Sequence, residues 1–232
     1  MFKRVLVKVS GEALAGEQKT GFDHEAILKI AQQIRALVDD GVEVGIVVGG
    51  GNFWRGRTGG EIDRCKSDQI GMLATIMNSI YVSEVFRGIG MKTQIFTPFN
   101  CGSFTKLFSK DEVNESFAAG KVVFFAGGSG HPYFSTDTVV VLRAIEVEAD
   151  VVLLAKNIDG VYDSDPKQNP EAKKYDTISL DEVIAKNLRV VDSTAAALAR
   201  DNKLPFVVFA LDAKNSIVNA VHGNANGTIV TA

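Results

Sequence analysis

The hydrophobic residues of the chain fall into short continuous runs that alternate with segments of helical periodicity. Residues 23–39 place apolar side chains three and four positions apart, which predicts an amphipathic helix. Mainly apolar runs of the length expected for buried strands occur at residues 2–9, 42–48, 121–126 and 151–155. The alternation of strands with helices predicts an α/β fold built on a parallel sheet.

Similar patterns predict the remaining elements. Ser109 and Ser179 each precede a Glu by three positions, which is the spacing of a capping box and indicates two helix starts. Residues 159–170 are rich in turn formers and predict a hairpin or flap over the site. No linker marks a boundary, so residues 1–232 are predicted to form a single domain. Further helices are predicted at 68–87, 180–186, 193–202 and 214–222, and further strands at 92–96, 206–210 and 228–231.

Each of the four apolar runs ends in a polar loop rich in Gly, Lys, Ser or Asp. In open parallel sheets, ligands bind in the crevice outside the carboxyl ends of the strands, so these loops are expected to converge on one site. Their composition points to a phosphate group as the ligand. The loops are residues 8–11, 49–56, 127–132 and 156–160.

The first two loops carry the residue types that hold a phosphate. Lys8, followed by Ser10 and Gly11, can place an ammonium on phosphoryl oxygens beside backbone N–H groups. The glycines at 49–51 allow close approach of the backbone to a phosphate and positive φ angles. Arg55 adds a planar fork of donors. Taken singly, these are equally features of a solvated loop and a tight turn; together they predict a phosphate site.

The third loop opens a helix with hydroxyls and an acid. Helix N-termini favour anions, so Ser135, Thr136 and Asp137 are candidate ligand contacts, although the same residues can serve as an N-cap. His131 is not taken as a general base, because a lone loop histidine is usually solvated or hydrogen-bonded. Trp54 is interpreted as a loop anchor rather than a stacking platform.

Charge and cysteine content exclude several classes of function. A formal net charge of -3 argues against a general nucleic-acid or membrane-surface binder. Cys65 and Cys101 form no CxxC pair, so neither a disulfide framework nor a zinc site is indicated. The N-terminal apolar run is too short for a signal peptide and no segment is apolar enough to span a bilayer, which predicts a cytoplasmic protein. The P-loop, GxGxxG and protein-kinase motifs are missing.

Six segments, in order along the whole chain, resemble the amino acid kinase family, and within it the bacterial members that phosphorylate UMP. The resemblance implies a three-layer αβα sandwich with a mainly parallel central sheet. It implies transfer of the ATP γ-phosphate to UMP in pyrimidine nucleotide biosynthesis, with Mg²⁺ held mainly by the nucleotide phosphates rather than by protein ligands. It also implies a homohexamer built as a trimer of dimers, activated by GTP and inhibited by UTP. The segments are residues 8–12, 49–56, 68–78, 128–137, 159–166 and 198–205.

The resemblance also implies roles for individual residues. Asp68 would take the ribose hydroxyls of UMP, His131 stands where the family usually has Asn, and a compressed segment leaves either Lys156 or Asn157 to contact ATP. The implied catalytic residues are Lys8, Arg55, Asp137 and Asp192. The implied ATP contacts are Lys8, Val9, Ser10, Gly11, Gly51, Arg55, Lys156, Asn157, Tyr162 and Asp165. The implied UMP contacts are Gly50, Asp68, Ser129, Gly130, His131, Pro132, Tyr133, Phe134, Ser135 and Thr136.

Two other functions are compatible with the same fold. One is a different kinase of the family, acting on carbamate or an acylated amino acid; the Asp68-x-x-Gly71 segment and the residues at 135–137 argue against it. The other is a non-catalytic nucleotide or oxyanion binding protein, since fold does not fix function. The presence of both Lys8 and Arg55 argues against this second alternative.

Overall fold

The computed structural model describes residues 2–55, 62–188 and 190–232, so Gly56 of the second loop lies outside the described residues. The strands are β1 (Arg4–Val9), β2 (Glu43–Val48), β3 (Lys92–Thr97), β4 (Lys106–Leu107), β5 (Lys121–Phe125), β6 (Val151–Lys156), β7 (Val161–Tyr162), β8 (Lys174–Tyr175), β9 (Thr177–Ser179), β10 (Phe206–Ala210) and β11 (Gly227–Thr231). The helices are α1 (Gly11–Ala15), α2 (His24–Asp39), α3 (Arg64–Gly88), α4 (Lys110–Ala118), α5 (Thr136–Glu146), α6 (Leu180–Ala185), α7 (Ser193–Asp201) and α8 (Ser216–Val221).

Strands from both halves of the chain form one central sheet. Within the described residues its strand order is β4-β3-β5-β2-β1-β6-β10-β11-β9, and its pairings are parallel except for that of β10 with β11. The predicted α/β class with a mainly parallel sheet is therefore confirmed. Because β1 pairs with β2 on one side and with β6 on the other, the strand order switches direction at β1. A switch point of this kind leaves a crevice at the carboxyl ends of the strands.

The two faces of the sheet are buried by different helices, which gives the three layers. Val5 and Val7 of β1 join the core that contains the apolar face of α2. Leu6 joins the core on the opposite face, which contains the apolar face of α5. Full burial of a valine or leucine contributes about 1.5 to 3 kcal/mol, so such alternation fixes which face each strand residue occupies. Lys8, two positions after Leu6, consequently lies on the α5 side.

One predicted helix start needs correction, and one predicted cap makes no hydrogen bond. The third helix begins at Arg64 rather than at residue 68, because the Asp63 side chain accepts a hydrogen bond of 3.1 Å from the Lys66 N–H and caps it. The fourth helix does follow Ser109, but that side chain makes no capping hydrogen bond. Ser179 does cap α6, since its Oγ accepts from the Glu182 N–H at 3.1 Å.

The turn-rich segment forms the predicted hairpin, with β7 and β8 pairing as an antiparallel ribbon. The sequence patterns missed the short edge strands β4 and β9, as well as the short helix α1 that follows the first loop. Across the described ranges, the structure has no helix that is both long and apolar enough to cross a membrane.

Candidate active site

The first loop places a lysine and a capped helix start at the switch point. Lys8 is the last residue of β1 on the side of the sheet that faces α5. Ser10 caps α1 by accepting a hydrogen bond of 3.2 Å from the Ala13 N–H. Gly11 is the first residue of that helix. Val9 is buried in the opposite core, and its backbone carbonyl accepts from the Gly49 N–H at 2.9 Å, which joins the first loop to the second.

One carboxylate lies between two lysines in this crevice. Lys8 Nζ is 3.1 Å from Asp137 Oδ1, and Lys156 Nζ is 4.0 Å from Asp137 Oδ2. Asp137 Oδ1 is buried, and the Lys8 ammonium is its ion-pair partner. Lys156 Nζ also donates to the Val190 carbonyl. The cluster concentrates positive charge where the loops converge.

Burial shapes the acidity of this cluster. It lowers the pKa of Lys156, attraction to Asp137 opposes the shift, and repulsion from Lys8 adds to it. Burial would raise the pKa of Asp192, but hydrogen bonds from Ser135, the Ala195 N–H and Thr138 outweigh it and hold the pKa below its usual value. Lys156 is therefore the amine that gives up its proton more readily than an ordinary lysine.

Asp192 ties the start of α5 to the start of α7. Its carboxylate accepts from the Ala195 N–H at 3.0 Å and so caps α7. The same carboxylate accepts from Thr138 Oγ1 at 3.0 Å and from Ser135 Oγ. Ser135 in turn caps α5, accepting from the Asp137 N–H at 3.1 Å. Asp192 thus supports the segment that carries Asp137. Asp137 itself pairs with lysines, whereas Asp192 accepts hydrogen bonds from hydroxyl groups and a backbone N–H.

The glycines of the second loop serve close approach rather than positive φ, so that part of the prediction was wrong. Gly49, Gly50 and Gly51 have ordinary φ angles, and positive values occur instead at Gly127, Gly128 and Gly130 of the third loop. A Cβ on Gly51 would lie 2.6 Å from Glu12 Oε1, and one on Gly11 would lie 2.5 Å from the Gly51 nitrogen. The two loops therefore touch backbone to backbone. Arg55 forms an ion pair with Glu12 at the same junction.

A small cavity of about 140 Å³ lies beside the second loop, between α3 and the start of α5. Five of the predicted UMP contacts line it: Gly50, Asp68, Phe134, Ser135 and Thr136. Sequence reasoning did not assign the other lining residues, which are Trp54, Gly71, Met72, Thr75, Gly128 and Val139. Gly71, Met72 and Thr75 lie on α3 at positions i+3, i+4 and i+7 from Asp68, so helical spacing would have identified them. Trp54 is anchored as predicted, by a 3.0 Å hydrogen bond to Ser67 Oγ, and lines the cavity as well.

Asp68 is engaged by protein groups at the edge of this cavity. Its carboxylate accepts from Arg64 Nε at 2.9 and 3.0 Å and from the Tyr133 N–H at 2.8 Å. Tyr133 has a φ of 73° and is exposed, with the Arg64 guanidinium 5.4 Å from its ring centre. The other predicted contacts, Ser129, Gly130, His131 and Pro132, are in the adjoining loop but do not line the cavity.

Four of the predicted ATP contacts lie outside the first two loops, and they fall into two groups. Lys156 and Asn157 both line a larger cavity of about 980 Å³ between α1, α2, α8 and the end of β6, so its lining does not choose between them. Tyr162 and Asp165 lie in the hairpin, where the Tyr162 hydroxyl donates to Asp159 at 2.8 Å and Asp165 Oδ1 accepts from the Lys167 N–H at 2.9 Å. Neither hairpin residue lines that cavity or contacts the lysine cluster.

The described residues offer no ready-made metal cage. Over residues 2–55, 62–188 and 190–232, no group of three or more His, Cys, Asp and Glu side chains is placed to hold a metal ion. Cys65 and Cys101 are free thiols. The buried Asp137 carboxylate, which Lys8 pairs at Oδ1, is nevertheless a hard ligand of the type that Mg²⁺ prefers. These residues fit a metal that arrives with phosphate ligands of its own.

The fold and the site define an α/β phosphate-binding protein whose loops meet at a switch point of a mainly parallel sheet. The model of the amino acid kinase family matches residues 3–210, and the chain belongs to that family. The chain is similar to the UMP kinase of Bacillus anthracis, with 37% identity, a TM-score of 0.96 and coverage of 99% of this chain and 96% of that chain. It is also similar to the UMP kinase of Ureaplasma parvum, with 34% identity, a TM-score of 0.95 and coverage of 100% of both chains.

Proposed function

We propose that this protein is a UMP kinase that transfers the γ-phosphate of ATP to UMP and releases UDP. The observation that carries the proposal is the lysine cluster at the switch point, with the Asp68 cavity on one side and the larger Lys156 cavity on the other. Similarity to two UMP kinases over the whole described fold supports the choice of acceptor. We place the reaction in pyrimidine nucleotide biosynthesis, in the cytoplasm, within one domain of residues 1–232.

The proposed mechanism is a direct in-line transfer without a covalent intermediate. Catalysis of such a step consists mainly of positioning and electrostatic stabilisation. Lys8 neutralises charge on the transferring group while Asp137 holds its ammonium in the crevice. Backbone N–H groups of Gly11 and Gly51 bind oxygens of the phosphate chain, and Arg55 exchanges Glu12 for a phosphate oxygen.

Magnesium would enter this site with ATP. When bound, the ion would neutralise negative charge on the nucleotide phosphates. Asp137, paired with Lys8, and Asp192, behind Ser135, are the carboxylates that would face it or order its water ligands. Asp137 lies between Lys8 and Lys156 and pairs with both, so it holds both ammonium groups in the crevice.

Acceptor choice separates the proposed function from the alternatives. The purified protein is given ATP and Mg²⁺ with UMP, CMP, GMP or carbamate, and ADP release is measured. We expect rapid release with UMP. Release with carbamate instead would identify another kinase of the family, and nucleotide binding without any release would identify a binding protein.

Replacing Asp68 by Asn should weaken UMP binding much more than ATP binding. A carboxylate that accepts ribose hydroxyls makes charge-assisted hydrogen bonds worth roughly 1.5 to 3 kcal/mol each, and the amide loses that charge. Calorimetric titration of each nucleotide measures the two effects. Glu84→Gln is the matched control, because Glu84 lies on the same helix and pairs with Arg87 at 2.9 Å. Equal weakening of both nucleotides by Asp68→Asn would contradict the acceptor-side role.

We propose that the active form is a homohexamer, a trimer of dimers. Helix α3 exposes an apolar stripe of residues spaced as i, i+3 and i+7: Ile70, Leu73 and Met77, at 39, 60 and 43% exposure. Such a stripe on one helix face is typical of a contact with another subunit. Native mass measurement should show the hexamer, and Leu73→Glu should give smaller species.

GTP should raise activity without donating a phosphoryl group, and UTP should inhibit. This proposal depends on the family and on the segments 16–21 and 87–91, which we propose face neighbouring subunits. Allosteric coupling is typically 1 to 3 kcal/mol, or about 5- to 150-fold in affinity. Initial rates at subsaturating ATP, with and without GTP, test it. A hexamer whose saturation curves for ATP and UMP ignore GTP would reject the regulatory claim.

A further inference from the structure

The buried amides of Asn52 and Asn78 form a pair that none of the roles above uses. Asn52 follows the three glycines of the second loop and is 3% exposed, whereas Asn78, within α3, is 0% exposed. Asn52 Nδ2 donates to Asn78 Oδ1 at 3.1 Å, and Asn78 Nδ2 donates to Asn52 Oδ1 at 2.7 Å. Because each amide is donor and acceptor at once, the exchange fixes the orientation of both side chains.

The pair also holds backbone carbonyls of two separate segments. Asn78 Nδ2 donates to the Gly49 carbonyl at 2.7 Å, and Asn52 Nδ2 donates to the Gly21 carbonyl at 2.9 Å. The Asn52 carbonyl accepts from Thr20 Oγ1 at 2.9 Å. The start of the second loop is therefore tied to α3, and its fourth residue, Asn52, is tied to the segment that precedes α2.

The same pair touches the first loop. A Cβ on Gly11 would lie 2.6 Å from Asn52 Oδ1 and 2.5 Å from the Gly51 nitrogen, so the amide packs directly against the first turn of α1. A second contact joins the two loops, because the Gly49 N–H donates to the Val9 carbonyl at 2.9 Å. The second loop is thus held against the Lys8 loop by the packing of Asn52 on Gly11 and by the hydrogen bond between Gly49 and Val9.

We infer that Asn52 and Asn78 are positioning residues for phosphoryl transfer. They hold the backbone N–H groups of Gly50 and Gly51 in line with the Lys8 to Gly11 turn, acting through the loop rather than on a nucleotide. The inference depends on the proposed function, because phosphoryl transfer is the step that needs this alignment. A misplacement of 1 Å in such a site can lower a rate by about 100-fold. A purely structural pair would change stability and leave turnover alone.

The test compares turnover with stability in four variants and a control. Asn78→Ala and Asn52→Ala remove each amide, a double variant removes both, and Asn78→Asp keeps the shape but loses the donors to Gly49 and Asn52. Ser83→Ala is the matched control, since Ser83 is 1% exposed on the same helix and pairs with Thr93 Oγ1 at 2.8 Å, away from the loops. Measured quantities are Tm, kcat with both nucleotides saturating, and calorimetric Kd for UMP and ATP.

We expect Asn78→Ala and Asn78→Asp to lower kcat by about 10- to 100-fold with much smaller changes in either Kd. The double variant should lose no more than the worse single variant, because the two amides act as one unit. Ser83→Ala should lower Tm and leave kcat unchanged. Folded variants with wild-type kcat, or a loss of kcat in Ser83→Ala that matches its loss of Tm, would overturn the inference.

Failure of the positioning role is distinguishable from failure of the proposed function. If the wild-type protein releases ADP with UMP and the variants do so equally well, the function stands and the positioning role falls. If the wild-type protein uses another acceptor, the UMP proposal falls, and the same kcat comparison is made with that acceptor.

Discussion

Lys8→Ala should lower kcat by about 100- to 1,000-fold while leaving the affinity for UMP nearly intact. The Lys8 ammonium is most useful on the phosphoryl group in the transition state, and loss of one preorganised electrostatic contact commonly costs this much. UMP is expected to bind in the Asp68 cavity, and Lys8 does not line that cavity. Steady-state rates with both nucleotides saturating, together with calorimetric titration of UMP, measure the two quantities separately.

The fold should survive this substitution. Asp137 keeps a positively charged neighbour, Lys156, at 4.0 Å, so its charge is not left isolated. Lys3→Ala is the control, because Lys3 precedes the same strand, is exposed and is remote from the crevice. A folded Lys8→Ala protein with near-normal kcat would remove Lys8 from the mechanism.

Central strands were the part of the fold that the sequence pattern predicted best. Residues 206–210, and residues 121–126 after the initial Lys121, are apolar because strands in the middle of a parallel sheet are buried on both faces. Edge strands lack this signal. Lys106–Leu107 is a strand because it pairs with Phe96 and Thr97, and Thr177–Ser179 is a strand because it pairs with residues about fifty positions later. A segment of two or three residues carries no sequence pattern that indicates such pairing.

Convergence of the loops could be predicted, but their detailed contacts could not. Parallel topology alone brings the end of β1 and the start of α5 to one edge, which is why Lys8 and Asp137 meet despite their separation in sequence. The start of α3 was placed too late because Asp63 has Lys66, not Glu or Gln, three positions on, so the capping-box signal was absent. The Asn52–Asn78 pair depends on how deeply α3 packs against the second loop, which periodicity does not encode.

The glycines also show that the sequence predicts where a loop lies but not its detailed contacts. Three consecutive glycines predict a special backbone, yet the special conformations lie at Gly127, Gly128 and Gly130. At Gly51 the requirement is space, because the Glu12 carboxylate occupies the volume of a side chain. Composition identifies a loop that needs glycine; the neighbouring element decides whether the reason is a dihedral angle or a contact.

UMP should be preferred over CMP by about 10⁴-fold in kcat/KM, the largest effect we expect. Uracil and cytosine present opposite donors and acceptors on the edge that differs between them. A site that hydrogen-bonds one edge leaves buried polar groups unpaired with the other, and unpaired buried groups are costly. Thr136, which carries a hydroxyl group, lines the Asp68 cavity. His131 is exposed and does not line it.

This arrangement makes the selectivity testable residue by residue. Thr136→Val keeps the shape of the side chain but removes its hydroxyl, and it should reduce the UMP to CMP ratio mainly by lowering kcat/KM for UMP. His131→Asn should leave the ratio close to that of the wild-type protein, because the described cavity does not include His131. Competition between the two nucleotides at low concentration measures the ratio directly. Comparable kcat/KM values for UMP and CMP in the wild-type protein would overturn the choice of UMP and leave the fold and the Lys8 site untouched.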